Sequence, residues 1–266
     1  MRFGMPTLVE CKDIFDCVRL AARLKLSFVE INMSFPQYQA HNLNADDLVI
    51  LSNESGVGYT IHADEQLNPF DFNPSVSSCY FGVMKDTIEF AKRIGAGVIN
   101  MHLLKGVYVT LPGEVILLSD VYREEYMTRI REFIEMCERE IGDSGIIIAI
   151  ENVDSNPFTS SQIGALELFM ESPVFGMTYD VGHDECLAHK DLPVLNKYRD
   201  RISHMHLHDS NGKSAHLPLG TALVDVGEKL DFLGAGKTCL VEVKTIRGLI
   251  DSVEYLKANN YYHFGG

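Results

Sequence analysis

The sequence has few basic residues, no long apolar run and no paired cysteine motif. Lysine and arginine total 23 against 37 aspartates and glutamates, which gives a formal net charge of −14 at pH 7. An acidic chain of this kind repels nucleic acid and anionic membranes at long range. No uninterrupted apolar stretch is long enough to span a bilayer, and the opening MRFGMPTLVECKD lacks the layout of a signal peptide. We therefore expect a cytoplasmic protein without a membrane partner.

The six cysteines form no C-x-x-C pair, and most of them lie in apolar segments. Reduced thiols are expected for such residues in a cytosolic protein. No long linker, charge run or low-complexity segment interrupts the 266 residues. This length suits one barrel domain or two smaller domains, and the unbroken pattern favours a single domain over residues 1–266.

Strand-like apolar runs alternate with helical patterns along the whole chain. The predicted strands lie near 2–6, 28–33, 58–63, 97–103, 145–152, 175–181, 202–208 and 239–244. Between them, apolar residues recur at helical spacing, as in Met127, Ile130, Ile134, Cys137 and Ile141. Eight such units in a chain of 266 residues predict an α/β fold, a single (β/α)₈ TIM barrel.

An open, doubly wound sheet is the alternative architecture. Its dinucleotide-binding forms carry G-x-G-x-x-G after the first strand, and this chain has no such motif there. An open sheet also gathers its ligands at one switch point, whereas polar residues here end several different predicted strands. A closed barrel brings all the strand tips to one centre, so the barrel is preferred.

Residues of metal-ligand type follow or end the apolar runs. Glu151 ends IIIAIE, Asp180 ends MTYD, and Glu242 lies within CLVEV. Carboxylates and imidazoles are the ligands of Zn²⁺, Mn²⁺ or Mg²⁺ sites. We therefore predict one or two divalent metal ions at the carboxyl ends of the strands. The predicted ligands are His62, His102, Glu151, Asp180, His183, His206, His216 and Glu242.

The carboxylates also have structural interpretations. Glu151 would be costly to bury unpaired, so a structural salt bridge is its alternative role. Glu242 could pair with Lys244, which lies two residues later on the same side. Asp180 could simply cap the next helix.

The histidines taken singly are ambiguous as well. His62 and His102 could be hydrogen-bonded core residues, and His216 lies in a polar loop. The histidines of 204–208 alternate at period two and face one side, so only one or two of them can be ligands. The convergence of the whole set at one mouth of the barrel is what favours a metal site.

Four segments resemble the xylose-isomerase-like TIM-barrel superfamily: AIEN (149–152), YDVGH (179–183), HLHDSNGKSAHLPLG (206–220) and VEVK (241–244). This superfamily includes sugar isomerases and epimerases and the endonuclease IV DNA-repair enzymes, and the resemblance covers essentially the whole chain. It implies a shared metal site with four ligands, which are Glu151, Asp180, His206 and Glu242.

The same resemblance implies additional metal ligands. His62 and His102 match the first additional site of the multinuclear zinc endonucleases, and His183 and His216 match the second. The endonucleases carry Asp-x-His where this chain has SAH at 214–216. The missing carboxylate argues against a third metal ion.

The first functional hypothesis is a divalent-metal-dependent isomerase or epimerase of a sugar or sugar phosphate. The metal would polarise the carbonyl and stabilise an enediolate, while Glu151 and Glu242 would remove and return the proton. The predicted substrate-binding residues are His208, Lys105, Lys213 and Lys244, with the lysines as contacts for a phosphate.

Three alternatives remain, which are a zinc-dependent endonuclease for abasic sites, a metal-dependent lyase or dehydratase, and a non-catalytic metal-binding barrel. Binding a phosphate backbone needs several Lys or Arg contacts, but segments 34–43, 64–78 and 153–161 contain none. We therefore expect a small sugar and not nucleic acid as the partner. Barrels of this type often pair, so a homo-oligomer is considered, although no surface stripe argues for one.

Overall fold

The computed structural model describes residues 1–261, which contain a closed barrel of parallel strands. The strands are β1 (Arg2–Pro6), β2 (Phe28–Asn32), β3 (Gly58–His62), β4 (Val98–His102), β5 (Tyr108–Leu111), β6 (Glu114–Leu117), β7 (Ile147–Glu151), β8 (Phe175–Asp180), β9 (Ile202–Leu207) and β10 (Thr238–Val241). All except β5 and β6 form the barrel, which closes where Arg2 of β1 pairs with Thr238 of β10. The predicted (β/α)₈ TIM barrel is confirmed.

Helices surround the barrel. They are α1 (Ile14–Leu24), α2 (Ala45–Ser55), α3 (Pro74–Ile94), α4 (Leu118–Val121), α5 (Arg123–Ile141), α6 (Ser160–Glu171), α7 (Val181–Cys186), α8 (Leu192–Lys197), α9 (Val226–Leu233) and α10 (Ile246–Ala258). Gly56 and Gly95 end α2 and α3 with φ of +71°. Glycine adopts this left-handed conformation without a steric penalty, and so the chain can turn sharply into the next strand.

The core lies between the barrel and the helices. The apolar stripe predicted for residues 127–141 is buried on the inner face of α5. Ile148 and Ile150 of β7 are fully buried as well. Burying each large apolar side chain of this kind contributes about 1.5–3 kcal/mol to folding. This packing makes the barrel a rigid frame on which the strand tips are held.

A β-hairpin made by β5 and β6 follows β4, and the sequence patterns did not predict it. All four residues of β5 are exposed, so the strand has no buried face whose periodicity could reveal it. Gly113 makes the turn between the two strands with φ of +95°. Within residues 1–261, no helix combines the length and the apolarity that crossing a membrane requires.

Candidate metal centre

The carboxyl ends of four neighbouring barrel strands converge on one point. Glu151 ends β7, Asp180 ends β8, His206 lies near the end of β9, and Glu242 directly follows β10. One donor atom of each side chain lies within 4.8 Å of the donors of the other three. His206 Nδ1 is 3.0 Å from Glu242 Oε2, 3.3 Å from Glu151 Oε1 and 3.7 Å from Asp180 Oδ2. The four ligands predicted for the shared site therefore lie together.

The donor set fits a divalent metal ion. His206 Nδ1 and Glu242 Oε2 are buried, and neither has a hydrogen bond of acceptable geometry to any residue of 1–261. Buried polar atoms without partners are rare, and one explanation is an ion between them. Ligand bonds of about 2.0–2.2 Å place neighbouring donors about 3–3.5 Å apart. The measured spacings from His206 Nδ1 to the two glutamates match this requirement.

The electrostatics of the cluster favour a cation. Burial raises the pKa of Glu151, but His206 and His102 outweigh it and hold the pKa well below its usual value. Burial also raises the pKa of Glu242, but the opposite effect of His206 and Lys244 is larger, so this pKa too lies well below its usual value. Both carboxylates are thus ionised at neutral pH. A divalent ion would neutralise the negative charge that they concentrate at one point.

Glu151 also belongs to a second cluster, with His62 and His102. His102 Nε2 lies 3.3 Å and His62 Nε2 lies 3.5 Å from Glu151 Oε2. His62 Nδ1 donates to the carbonyl of Ala63 at 2.7 Å, so Nε2 is the nitrogen that faces the cluster and would bind an ion once its proton is displaced. Burial lowers the pKa of His62, but the Glu151 carboxylate outweighs it and raises the pKa to about 9. These three residues could hold a second ion.

A third group contains His183, His208 and His216. His208 Nδ1 accepts the backbone N–H of His216 at 2.8 Å. His208 Nε2 therefore carries the proton and donates to Asp180 at 2.9 Å. Both nitrogens of His208 are thus engaged in hydrogen bonds. His183 and His216 are the two imidazoles of this group that could still bind a metal ion.

Asp180 caps a helix and also belongs to the four-ligand cluster, the two roles predicted for it from the sequence. Its Oδ1 accepts the backbone N–H of His183 at 2.7 Å and so caps α7. Its backbone N–H donates to Asn152 Oδ1 at 2.9 Å, and its carbonyl accepts from Asn152 Nδ2 at 2.8 Å. Burial lowers the pKa of His183, but Asp180 and Glu151 raise it to about 10 overall. Capping and metal binding are therefore compatible at this residue.

The loop that carries His216 is organised by Asp209. The Asp209 carboxylate is buried and accepts backbone N–H groups at 2.8–3.0 Å from Ser210, Thr221, Ala222 and Val224. The backbone of Asp209 also pairs with that of Leu217. His216 is held with φ of +58°, a left-handed conformation that is strained for a residue other than glycine. Burial lowers its pKa to about 4, so its imidazole is neutral at pH 7.

A cavity of about 280 Å³ opens above the cluster and is called the metal cavity below. Its lining includes Glu151, Glu242, Lys244 and the imidazoles of His62, His102, His183 and His216. Lys244 Nζ donates to Glu242 Oε1 at 2.6 Å, as considered from their spacing. Among the other predicted substrate-binding residues, Lys105 lines an adjoining cavity. His208 is buried behind Asp180, and Lys213 is exposed, and neither of them lines these two cavities.

Comparison with known proteins agrees with this architecture. A sequence profile described as xylose isomerase-like TIM barrel matches residues 18–259. The chain belongs to this family. A crystal structure of a D-tagatose 3-epimerase-like protein is 26% identical, with a TM-score of 0.75 over 98% of this chain and 97% of that chain. The uncharacterized protein MJ1311 of Methanocaldococcus jannaschii is 27% identical over 97% of this chain and 88% of its own length.

A further member of the comparison contains a metal. The crystal structure of the IolI protein with a bound zinc atom superposes with a TM-score of 0.72, covers 99% of both chains and is 14% identical. At that identity the likeness concerns the fold alone. The resemblance inferred from the motifs is confirmed at the level of the xylose isomerase-like family.

Sequence reasoning missed one acidic residue in this xylose isomerase-like barrel. Glu30 of β2 is buried, and its Oε2 accepts from Thr60 Oγ1 at 2.8 Å. Its two oxygens lie 3.1 Å from His204 Nε2 and 3.0 Å from His206 Nε2. Burial raises the pKa of Glu30, but the opposite effect of His206 and His204 is larger. The pKa is lowered overall, so the carboxylate is ionised. A charged residue within the apolar run FVEIN was the signal that could have revealed it.

Proposed function

We propose that this protein is a divalent-metal-dependent epimerase or isomerase of a sugar. The observation that carries the proposal is the pair of buried glutamates, Glu151 and Glu242, which line the same cavity and both lie beside His206 Nδ1. They come from barrel strands that β8 and β9 separate, so they approach a bound substrate from different directions. The family includes sugar epimerases, and the 26% identical D-tagatose 3-epimerase-like protein supports the same class of reaction.

The proposed mechanism is proton transfer at a carbon next to an oxygen. A divalent ion held by Glu151, Asp180, His206 and Glu242 would polarise a carbonyl of the sugar and acidify the neighbouring C–H. Both glutamates are ionised at neutral pH, so one can accept the proton. In an epimerisation the other glutamate takes a proton from solvent and delivers it to the opposite face, and the first glutamate then releases its proton to solvent. An isomerisation instead returns the proton to the neighbouring carbon.

The other polar groups of the metal cavity would orient the substrate. Lys244 holds Glu242 Oε1 at 2.6 Å and fixes the direction of that carboxylate. Asn100 donates to Glu151 Oε2 and does the same for Glu151. Orienting both carboxylates before the substrate binds reduces the rearrangement required in the transition state. Zn²⁺, Mn²⁺ and Mg²⁺ are all compatible with a donor set of three carboxylates and one imidazole, with one or two ions bound.

The test uses metal-loaded protein with a panel of ketoses and aldoses in deuterated water. The wild type should interconvert at least one sugar and place deuterium on carbon. Glu151→Gln and Glu242→Gln should each lower kcat by about 100- to 10,000-fold, the usual range for acid–base catalysis. Glu167→Gln, which changes an exposed glutamate paired with Lys197, is the matched control and should leave kcat unchanged. Turnover without deuterium on carbon, together with active Gln variants, would contradict the proposal.

A zinc-dependent endonuclease for abasic DNA is the second candidate. The cluster of His62, His102 and Glu151 favours it, because a multinuclear site suits phosphodiester hydrolysis. The charge around the metal cavity opposes it. Glu65 and Asp154 line the cavity, and within residues 1–261 Lys244 is the sole lysine or arginine of the lining. Incubation of metal-loaded protein with an abasic duplex measures strand nicking directly. Salt-dependent binding followed by cleavage would reverse the order of the two candidates.

A further inference from the structure

A second cavity adjoins the metal cavity at the mouth of the barrel. The two cavities share four lining residues, which are Gln66, Leu104, Val153 and Ser155. The second cavity, called the distal cavity below, extends from these shared residues to Asn68, Asp71, Tyr80, Lys105 and Asn156. Its volume is about 400 Å³, compared with about 280 Å³ for the metal cavity. The two cavities are therefore neighbours, and the distal cavity has room for a group at least as large as one that fits the metal cavity.

The distal cavity offers neutral hydrogen-bonding groups. The side-chain amides of Gln66 and Asn68 and the hydroxyl of Tyr80 make no hydrogen bond to another residue within 1–261. These donors and acceptors come from the loop after β3 and from the start of α3, and both lie next to the metal cavity. The shared apolar side chains of Leu104 and Val153 form a non-polar part of the wall. A mixture of amides, hydroxyls and apolar surface suits a ligand that has hydroxyl groups and C–H faces.

The charge of the distal cavity does not suit a phosphate. Among the residues that the structure describes, Lys105 is the one basic residue of its lining, and Asp71 is an acidic residue of the same lining. The Lys105 ammonium lies over the ring of Tyr108, 4.9 Å from its centroid, where it also gains a cation–π interaction. A phosphate is usually held by several cationic or backbone N–H donors. One lysine balanced by one aspartate instead favours an uncharged group.

We propose that the distal cavity binds a second sugar ring, so that the substrate is a glycoside and neither a free monosaccharide nor a sugar phosphate. This inference rests on the proposed function. The reacting sugar lies in the metal cavity between Glu151 and Glu242. The attached ring extends past Gln66 into the distal cavity, where Asn68 and Tyr80 bind its hydroxyl groups. Remote contacts of this kind supply binding energy that helps to position the reacting carbon.

The experiment compares three probes on metal-loaded protein: D-fructose, D-fructose 6-phosphate, and a disaccharide in which glucose is linked to fructose away from the reacting carbons. The disaccharide should have the highest kcat/KM. Asn68→Ala and Tyr80→Phe should each lower kcat/KM for the disaccharide by about three- to tenfold, the value of one neutral hydrogen bond. The same variants should leave kcat/KM for D-fructose unchanged. Asn53→Ala, an exposed asparagine of α2, is the matched control and should change neither value.

The outcomes separate this inference from the proposed function. Turnover of D-fructose with no preference for the disaccharide, or equal losses for both sugars in the variants, overturns the distal site and leaves the epimerase in place. A preference for the phosphate that Lys105→Ala abolishes also overturns it. If no probe is turned over, calorimetric binding of the disaccharide decides. Binding weakened by Asn68→Ala upholds the distal site while the proposed function fails, and absence of binding overturns the distal site as well.

Discussion

Glu30 Oε1 lies 3.0 Å from His206 Nε2. The other ring nitrogen of His206, Nδ1, faces Glu151 and Glu242 of the metal cluster. Both side chains are buried inside the barrel. Burial lowers the pKa of His206, but Glu151, Glu242 and Glu30 outweigh it and raise the pKa well above the usual value. The carboxylate of Glu30 beside Nε2 favours a proton on that nitrogen, so Nδ1 is the atom that would bind a metal ion once it is deprotonated. Glu30 is therefore placed where the carboxylate partner of a metal-binding histidine would lie.

This relationship predicts that Glu30→Gln weakens metal binding without removing a ligand. Affinity should fall by about 10- to 100-fold, because the neutral amide makes His206 a poorer donor and holds its ring less firmly. Competition with a chromophoric chelator measures the affinity. Glu167→Gln, on the exposed face of α6, is the control and should bind metal normally. An unchanged affinity in Glu30→Gln would show that Glu30 serves the barrel core alone.

His62 and His102 are predicted to bind a second ion. The double variant His62→Ala/His102→Ala should reduce the metal content from two ions per chain to one, because it removes two of three donors in that cluster while the four-ligand cluster stays intact. Elemental analysis after gel filtration gives the stoichiometry. His41→Ala changes an exposed histidine that belongs to neither metal cluster and should keep two ions. A wild-type content of one ion would mean that these histidines contact substrate instead.

Gly182 is predicted to be required for the position of His208. A Cβ atom at this residue would lie 2.1 Å from Cε1 of the His208 ring. Gly182→Ala should therefore displace His208, release Asp180 and lower metal affinity by about tenfold or more. It should also destabilise the fold by about 1–3 kcal/mol through overpacking. Both effects are read from chelator competition and thermal unfolding.

The matched control for this substitution is Gly82→Ala. Gly82 lies inside α3 and nothing within 4 Å would meet an added Cβ. Alanine there should stabilise the protein by about 0.5–1 kcal/mol and leave metal affinity unchanged. Equal behaviour of the two alanine variants would refute the steric role of Gly182.

Asp191 is predicted to destabilise the protein at neutral pH. Its carboxylate is buried, and burial raises its pKa from 3.8 to about 6 although the N–H of Phe158 donates to Oδ1 at 2.9 Å. The folded state therefore binds the proton more tightly than the unfolded state. The stabilisation from protonation is complete below pH 3.8 and is lost as the pH rises through about 6.

Asp191→Asn should remove this penalty. Asparagine keeps the acceptor for Phe158 and carries no charge, so at pH 8 the variant should be more stable by about 1–3 kcal/mol. The advantage should shrink as the pH falls from about 6 to about 4, as measured by denaturant unfolding at each pH. Asp191→Ala is the control, because it loses the acceptor and should be less stable than Asp191→Asn at every pH. An advantage of Asp191→Asn that does not vary with pH would contradict the assigned pKa.

Several local features could be read from the order of the residues. The run IIIAIE predicts a buried strand that ends in a carboxylate, because a strand covered on both faces is apolar along its length. The stripe of α5 predicts a helix with one inner face. Gly56 or Gly58, and Gly95 or Gly97, predict the ends of two helices before the strands that follow. The structure ends the helices at Gly56 and Gly95. These are short-range properties, set by neighbours within one or two turns of the chain.

The hairpin of β5 and β6 shows where this reading failed. Both strands are short, and the four residues of β5 are exposed. Without burial on one face, no alternation of apolar and polar residues is required. The cross-strand pairing of Tyr108 with Leu117 follows from the turn at Gly113, and sequence periodicity carries no trace of it.

By itself the sequence determined the barrel, the strand tips and the residue types able to hold a metal. The tertiary structure alone decided how these side chains are shared among the clusters. Glu151 contacts both His206 and His102, although 49 or more residues separate it from each. Glu30 lies beneath His206, and His208 is turned away from the cavity to hold Asp180. The physical reason is that closing the barrel sets the distances between distant strand tips, and those distances depend on packing and register that no local pattern records.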